Sequence, residues 1–529
     1  MRMFQLCAWI GWCATSFAVE TPKNAPVAEV SGSVLTDLFE GPVQRWEVQL
    51  TEAAIDSLAR EPRTWVTGTV RVGTNRFEPV RIHLKGSAGS FRPIHANPGF
   101  TLNFSRLPKG SLCFGFKKLH LNNSVQDSSR LTEILCADLY RRAEIPTPRA
   151  GHALVSLNGA FLGPYVLKEA FDKAFLLRHF KDASGNLYDG GFLQDIDQEL
   201  ERDSGDGPED RADLHGLVAA LREKDRVVRL ERVGKRLQLD SFVTYTALQI
   251  LTDDWDGYVR NRNNYRLYHD AISDRFYFLP HGMDQMFEQP QGSLRPPFQG
   301  LAAQAVFASD AMREELYRQV SHLTDSVFTA AVMTNVLWAA ENRLQAAMAG
   351  SRRSDREFLL RAARDLEERI LVRLDTVHRR NTTPPPVLRP TADQKITLGN
   401  WKPRSESPSA RLEECTGEGG RRELRIQAGD GVTIASWRTL LDLPQGPYRF
   451  QGRARTRDVR AIGDGVGTGA GLRISRETRW NQLSGTTDWK EISFDFELEG
   501  TREVEFVLEL RAEAGNVAFD AESLRIQRR

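Results

Sequence analysis

Polar residues that could bind a metal ion and activate a hydroxyl group crowd one stretch of the chain, from Asp253 to Asp284. Carboxylate and amide side chains alternate there with aromatic residues. Mg²⁺ prefers hard oxygen ligands, commonly one or two carboxylates together with phosphate oxygens. A further carboxylate can accept the proton of an attacking hydroxyl during phosphoryl transfer. The residue types in this stretch therefore suit metal-assisted phosphoryl transfer.

The spacing inside this stretch supports two interpretations. Asp256 and Asn261 stand five residues apart, which is the separation of the catalytic Asp and Asn in protein-kinase loops. Asp and Asn are also the usual residues of caps and turns, so Asp253 or Asp254 could simply cap a helix. The spacing alone leaves both interpretations open.

Six motifs occur in order over about residues 36–290, and three of them belong to this polar stretch. The motifs are Leu84-Lys85-Gly86-Ser87 with Gly89-Ser90-Phe91-Arg92; Phe116-Lys117-Lys118-Leu119 through Asn122-Asn123 and Asp127; Leu157-Asn158-Gly159 with Gly163-Pro164-Tyr165 and Glu169; Trp255-Asp256-Gly257-Tyr258; Asn263-Asn264-Tyr265; and Met283-Asp284-Gln285. In content and order they resemble the CotH family of protein-kinase-like proteins.

The resemblance implies an atypical, two-lobed protein-kinase-like fold. Some members of this family phosphorylate secreted or surface proteins with ATP and a divalent metal. The expected cofactors are therefore ATP and Mg²⁺, or Mn²⁺ in its place. The expected substrate is a Ser or Thr hydroxyl of an exported or surface protein.

The resemblance also implies roles for three residues of the polar stretch. Asp256 would be the catalytic-loop carboxylate, acting as general base or orienting the substrate hydroxyl. Asp284 would be the main Mg²⁺ ligand, in the place of the kinase DFG aspartate. Asn264 would help to hold the metal, and Asn261 is its rival on grounds of spacing.

Nucleotide binding is expected to involve three residues of the N-terminal half. By the resemblance, Glu169 would orient a phosphate-binding lysine. Lys85 and Lys118 compete for that position, because both lie in predicted strands and a lysine's point charge suits phosphate. Structural roles stay open: Lys85 could be a solvated strand charge, and Glu169 could favour a helix start.

The chain departs from the family pattern at the metal site. Many members have Trp-Asp-x-Asp where this chain has Gly282-Met283-Asp284, so the first carboxylate is missing. No GxGxxG loop is present. A non-catalytic pseudokinase that binds partners or glycans is therefore a rival hypothesis, and nucleotidylation of a hydroxyl is a third.

The N-terminus is typical of an export signal. Arg2 precedes an apolar run, and Ser16-Phe17-Ala18 forms a cleavage-site pattern. We expect a signal peptide at 1–18, a flexible lead-in at 19–35 and an exported mature protein. No other apolar run approaches the ~20 residues that span a bilayer.

The charge balance bears on possible partners, and the cysteine content bears on disulfide bonds. The 71 basic and 70 acidic residues nearly cancel, which argues against a nucleic-acid partner. After signal removal, Cys113, Cys136 and Cys415 remain; Cys113 and Cys136 could pair, but a buried free thiol is favoured for Cys136.

Hydrophobic periodicity predicts an α+β chain. Helices are predicted at Glu52–Arg60 and Asp127–Arg142. Two hairpins are predicted, one from strands Trp65–Val72 and Arg76–Leu84 and one from strands Ala153–Leu157 and Phe161–Leu167 around the turn Asn158-Gly159.

The domain boundaries follow from the same patterns. A kinase-like domain at 36–380 is mainly β over 36–170 and mainly helical over 171–380, with a polar, acidic loop at 195–213. A Pro-rich linker at 381–393 leads to a jelly-roll-like β-sandwich at 394–529, whose last two predicted strands are Glu503–Arg511 and Asn516–Phe519. In its strand pattern and its closing Phe519-Asp520, the sandwich resembles carbohydrate-binding jelly-roll modules. Its Trp437, Trp480 and Trp489 could stack on sugar rings, although burial in the core is the commoner fate of Trp.

Overall fold

The computed structural model describes residues 38–108, 112–382, 394–417, 420–463, 465–475, 477–498 and 501–529. The predicted signal peptide and lead-in, and nearly all of the predicted linker, lie outside these ranges. The chain is a mixed α+β protein, as predicted. Within the described ranges, no helix combines the length and apolar character needed to cross a bilayer.

The first part of the chain forms a closed barrel of seven strands, in the order β1-β2-β3-β4-β5-β7-β6. β6 closes the barrel by pairing in parallel with β1. The elements are β1 (Gln44–Gln49), α1 (Glu52–Arg60), β2 (Val66–Val72), β3 (Asn75–Lys85), β4 (Gly99–Asn103), β5 (Lys118–Asn122), α2 (Thr132–Arg142), β6 (Ala150–Leu157) and β7 (Ala160–Glu169).

Alternation of side chains fixes which face of each strand enters the barrel. In β3, Val80, Ile82 and Leu84 are completely buried, while the residues between them are part-exposed. Both predicted hairpins are present. Asn158 and Gly159 have φ of +48° and +83°, as a tight two-residue turn requires.

Helix α2 begins later than its sequence pattern predicts. The expected start was Asp127, whereas the helix starts at Thr132. Asp127 nevertheless caps it, because its Oδ2 accepts the Thr132 backbone N–H at 3.0 Å. The residues between them form a turn in which Arg130 has φ +61°.

The middle of the chain combines a four-stranded sheet, in the order β11-β10-β8-β9, with nine helices in its described residues. The elements are α3 (Lys173–His179), β8 (Leu187–Asp189), β9 (Glu201–Ser204), α4 (Ala212–Leu221), α5 (Arg226–Gly234), α6 (Leu239–Leu251), α7 (Tyr258–Asn261), β10 (Tyr265–Asp270), β11 (Arg275–Pro280), α8 (Leu301–Phe307), α9 (Asp310–Ser326), α10 (Ala330–Ala347) and α11 (Arg353–Thr382). Segment 195–213, predicted to be a loop, contains β9 and the start of α4.

The C-terminal part is a set of ten connected strands around one apolar core. The strands are β12 (Lys395–Thr397), β13 (Lys402–Ser405), β14 (Arg411–Thr416), β15 (Arg422–Gln427), β16 (Thr433–Leu443), β17 (Gly446–Ala461), β18 (Gly469–Ile474), β19 (Gly485–Leu498), β20 (Arg502–Asp520) and β21 (Arg525–Arg528). The two strands predicted at Glu503–Arg511 and Asn516–Phe519 form one continuous strand, β20. The first half of β20 pairs with β16 and β18, and its second half pairs with β15 and β17.

Three cysteines of the described residues, Cys113, Cys136 and Cys415, are free thiols. Cys113 and Cys136 therefore do not pair. Both are completely buried, and burial raises the pKa of each thiol. These two cysteines consequently act as small apolar core residues.

One buried arginine joins the long helix α11 to the polar stretch. The side chain of Arg373 is fully buried, and its guanidinium donates to the Leu251 carbonyl at 2.8 Å and also to the Ile250 carbonyl. A further nitrogen donates to the Gly292 carbonyl at 2.6 Å. A cation is favourable at a helix C-terminus, so Arg373 stabilises the end of α6 just before the polar stretch begins.

We predict that Arg373→Met destabilises the protein by about 3 kcal/mol, because it leaves several buried carbonyls without their donor. Urea unfolding would measure the change. Arg379→Met is the matched control, since that arginine lies on the same helix with its side chain 70% exposed. A loss no larger than that of the control would contradict the structural role of Arg373.

Candidate active site

A row of basic side chains covers the outer face of the barrel. His83 on β3, His120 on β5 and Lys168 on β7 lie in one register row, joined through Thr101 of β4. Their neighbours in sequence, including Leu84, Leu119 and Leu167, point into the core. The alternation that buries the leucines therefore collects the basic groups on the opposite face.

Lys85 reaches across this face because the residue beside it is a glycine. Gly99 on β4 is the register partner of Lys85, and a Cβ at Gly99 would lie 3.0 Å from the Lys85 Cγ. The Lys85 ammonium crosses that space and donates to Asn122 Oδ1. Burial, and then the charge of Lys168, lowers the pKa of Lys85 to about 7. A negative charge close to Lys85 would favour its charged form.

Lys168 and Glu133 form a buried ion pair between β7 and α2. Their side chains are 1% and 2% exposed, and Lys168 donates to Glu133 Oε1. Burial alone would raise the pKa of Glu133, but the charge and hydrogen bond of Lys168, the charge of Lys85 and the Met283 backbone N–H lower it. Lys168 Nζ also lies 3.5 Å from His281 Nδ1.

Asp284 lies in the turn that follows β11, next to this ion pair. Burial, and then the negative charges of Glu133 and Asp127, raises the pKa of Asp284 to about 7. The next residue, Gln285, accepts a hydrogen bond from Gln126 at 3.1 Å. Asp284 is therefore a carboxylate whose ionised form would be favoured by a cation.

Asp256 is held by three asparagine side chains. The Nδ2 atoms of Asn261 and Asn264 donate to its carboxylate at 2.7 and 2.8 Å. Asn263 donates to both carboxylate oxygens at 3.2 and 3.1 Å. These contacts fix the orientation of a half-buried carboxylate and leave the amide oxygens as acceptors.

Asn264 links Asp256 to the turn that carries Asp284. Its backbone carbonyl accepts the His281 N–H at 3.1 Å, and its Oδ1 lies so close to Gly282 that a Cβ there would approach to 2.4 Å. Asn264 and Gly282 have φ of +53° and +57°, which suits Asn and Gly. The structure therefore brings Asp256, Asn261 and Asn264 into contact and places Asp284 two residues beyond Gly282.

The base of the Asp256 loop is a buried hydrogen-bond network centred on Gln249. Gln249 Nε2 donates to Asp254 Oδ2 at 2.8 Å and to the Tyr245 hydroxyl at 3.1 Å. Its Oε1 accepts the Val259 N–H at 3.0 Å. Burial, and then the charge of Asp256, raises the pKa of Asp254 to about 7. The buried Asp254 thus stabilises the base of the loop, whereas the Asp256 carboxylate is half-buried.

The structure places Glu169, which was predicted to orient a phosphate-binding lysine, beside two arginines. Glu169 is the register partner of Leu119 and forms ion pairs with Arg178, at 2.5 and 2.6 Å, and with Arg149. Lys118 on β5 is the register partner of Asn103 on β4, and it lies two residues before His120, which belongs to the row with His83 and Lys168. Within the part of the chain that the structure describes, Glu133 is the carboxylate that forms an ion pair with a lysine of the basic face.

Three residues of the site were not predicted from the sequence: Lys168, Glu133 and Asn263. A usable signal existed for one of them, because Asn263 adjoins Asn264 in a motif already singled out. Lys168 adjoins Glu169, and only the register of β7 decides which of the two faces outward.

The residues around Asp256 and Asp284 offer two carboxylates and the amide oxygens of asparagine side chains. Within the described ranges, no group of three or more His, Cys, Asp or Glu side chains is arranged as a metal site. Mg²⁺ usually takes one or two carboxylates and completes its shell with phosphate and water, so the chemistry of these donors suits a Mg²⁺ ion that phosphates also bind.

Comparison with known proteins gives the family context. A family model described as CotH kinase protein matches residues 84–374, more than half of the chain. Inner spore coat protein H of Bacillus subtilis (strain 168) is 25% identical over 185 residues, which cover 32% of this chain and 50% of that protein. Spore coat protein homolog 1 of Rhizopus delemar is 23% identical over 197 residues, 34% of this chain and 32% of that protein. The chain thus spans half or less of the length of these relatives.

Two solved structures are similar to portions of this chain. The Helicobacter pylori proinflammatory kinase CtkA is 9% identical, with a TM-score of 0.24 over 54% of this chain and 94% of that chain. The module TmCBM61, solved with β-1,4-galactotriose, is 13% identical, with a TM-score of 0.20 over 25% of this chain and 91% of that chain.

The raised pKa of Asp284 predicts a pH-dependent stability. Its folded-state value of about 7 exceeds the ordinary 3.8, so its contribution is fully present below about pH 4 and is lost as pH rises through 7. Asp284→Asn should therefore gain stability relative to wild type between about pH 5 and pH 8. Urea unfolding of the metal-free protein at both pH values measures this, with the exposed helix residue Asp56→Asn as control. Parallel curves for wild type and Asp284→Asn would contradict the assignment.

Proposed function

The chain belongs to the CotH kinase protein family, and on that premise we propose that it transfers a phosphoryl group from ATP to a Ser or Thr hydroxyl of an exported or surface protein. The observation that carries the proposal is the buried Lys168–Glu133 ion pair beside Asp284. Protein kinases use a Lys–Glu pair and a metal-binding Asp in this combination. The barrel part and the helical part would act as two lobes around it.

In this proposal the basic face binds the phosphates of ATP. Lys85 and Lys168 supply positive charge from one face of the barrel, and Glu133 keeps Lys168 in place. An arriving triphosphate would favour the charged form of Lys85, whose pKa of about 7 lets it respond near neutrality. Mg²⁺ or Mn²⁺, held by Asp284 and by Asn264 or Asn261, would neutralise charge on the phosphates.

Asp256 is the proposed acceptor of the substrate proton. The substrate oxygen forms a bond to the γ-phosphorus, the bond from that phosphorus to the bridging oxygen of ADP breaks, and the hydroxyl proton passes to Asp256. The three asparagine donors hold the carboxylate in one orientation before the substrate arrives. Such positioning of a general base typically contributes about 10²–10⁴-fold to the rate.

Export is part of the proposal. The predicted signal at 1–18 directs the chain out of the cytoplasm. Both curated relatives are named as spore-coat proteins, which supports a surface location. The proposed protein substrate would then lie in the compartment to which this chain is exported.

Glycan binding by the C-terminal part is a second candidate function, favoured by one observation. Trp480 is 80% exposed in the connection between β18 and β19, whereas Trp437 is buried and donates to the Arg425 carbonyl at 3.1 Å. Arg455 covers Trp489, with its guanidinium 4.9 Å from the ring centroid. Trp480 is therefore the tryptophan of the three that is free to stack on a sugar.

Labelled ATP with Mg²⁺ or Mn²⁺ and a generic protein substrate tests the catalytic proposal. We expect label transfer by wild type and a loss of at least about a hundredfold in Asp256→Asn and Asp284→Asn, which remove the base and the metal ligand. Asp240→Asn, exposed at the start of α6, is the matched control. If wild type shows neither transfer nor a nucleotide-induced thermal shift with either metal, the chain is a pseudokinase.

Glycan-array binding by the full chain tests the second function. Trp480→Ala should weaken binding by about tenfold, because it removes the exposed ring. Trp338→Ala is the control, since Trp338 is 56% exposed on α10, outside the C-terminal part. Equal binding by both variants would show that Trp480 is not the sugar platform.

A further inference from the structure

Two buried carboxylates face each other in the C-terminal part. Asp442 on β16 and Glu503 on β20 are register partners, and their side chains are 1% and 7% exposed. Like charges directly opposite each other destabilise a sheet, and burial of a charge is costly unless it is paired. Burial, opposed by the charge of Arg295, leaves the pKa of Asp442 raised. The C-terminal strands alone provide a poor environment for this pair.

Each carboxylate meets an arginine from the helical part of the chain. Arg295 Nη1 lies 2.9 Å from Asp442 Oδ2, and Arg380 Nη1 lies 2.7 Å from Glu503 Oε2. Arg295 also lies over the ring of Tyr317 on α9, 5.1 Å from its centroid. The two acids and two arginines, here named the acid–arginine clamp, join the C-terminal strands to α11 and to the segment that follows Asp284.

The segment that carries Arg295 supports the Asp256 loop. Gly292 lies against Asp253, where a Cβ would come within 2.1 Å of the carboxylate Oδ1. At the other end of the segment, the Gln299 N–H donates to the Val259 carbonyl at 2.8 Å. Segment 290–300 therefore contacts loop 253–264 on both sides of Arg295.

We infer that the acid–arginine clamp makes the C-terminal part a positioning element of the active site. Asp442 holds Arg295, Arg295 fixes segment 290–300, and that segment fixes the loop that presents Asp256. Asp442 and Arg295 are positioning residues, because neither lies among the groups proposed to contact ATP. The consequence for phosphoryl transfer rests on the proposed function, whereas the mechanical linkage does not.

Hydrogen exchange on the full chain, read by mass spectrometry, tests the linkage. In Asp442→Asn we expect amides of 290–300 and 253–264 to exchange about tenfold faster, because the part-buried Arg295 loses its charged partner. Arg295→Gln should have the same effect, and the double variant should add little, since both act through one contact. Arg295→Lys keeps the charge and should retain more protection than Arg295→Gln. Asp495→Asn, which breaks an exposed ion pair with Arg449 in the same part, is the control.

Unchanged exchange of both segments in Asp442→Asn and in Arg295→Gln would overturn the inference. Additive effects in the double variant would overturn it too. If wild type transfers phosphate, Asp442→Asn should lower kcat about tenfold while KM for ATP stays within about twofold, because the basic face is untouched. If wild type transfers none, the proposed function fails, and the exchange experiment still decides on the clamp.

Discussion

The ion pair between Lys168 and Glu133 constrains the whole site. A buried charge that loses its partner typically costs about 3–5 kcal/mol, so β7 and α2 must keep these side chains together. Helix α2 is held at its start by Asp127, and the turn with Asp284 packs against Glu133. The same pair therefore sets the position of the basic face, of the helix and of the candidate metal ligand.

Features that depend on neighbours in sequence were predictable. Alternation located β3 and β7, Asn158-Gly159 located the turn between β6 and β7, and helix α1 has the predicted bounds Glu52–Arg60. The polar stretch around Asp256 was also found, because its residues lie within a few positions of one another. Local hydrogen bonding by Asn and Asp determines such loops, so their residues signal them directly.

Features that depend on register or on distant packing were not predictable. Lys168 and Glu169 are adjacent, and a shift of one residue in β7 would exchange their faces. Glu169 was predicted to orient a lysine, but its carboxylate pairs with Arg178. Lys168 instead pairs with Glu133, which lies 35 residues earlier in the sequence, on α2. The contact of Arg295 with Asp442 spans 147 residues, and nothing near either residue indicates its partner.

The missing carboxylate of the metal motif has a local explanation. Gly282 replaces it, and its φ of +57° and its closeness to Asn264 leave no room for a side chain. An aspartate there would displace Asn264, which holds Asp256. It would also add negative charge beside Asp284, whose pKa is already raised by burial and by neighbouring carboxylates. The glycine therefore preserves the contact between Asp256 and Asn264. In the proposed site, amide oxygens and phosphate would complete the metal shell where the family pattern has a second acid.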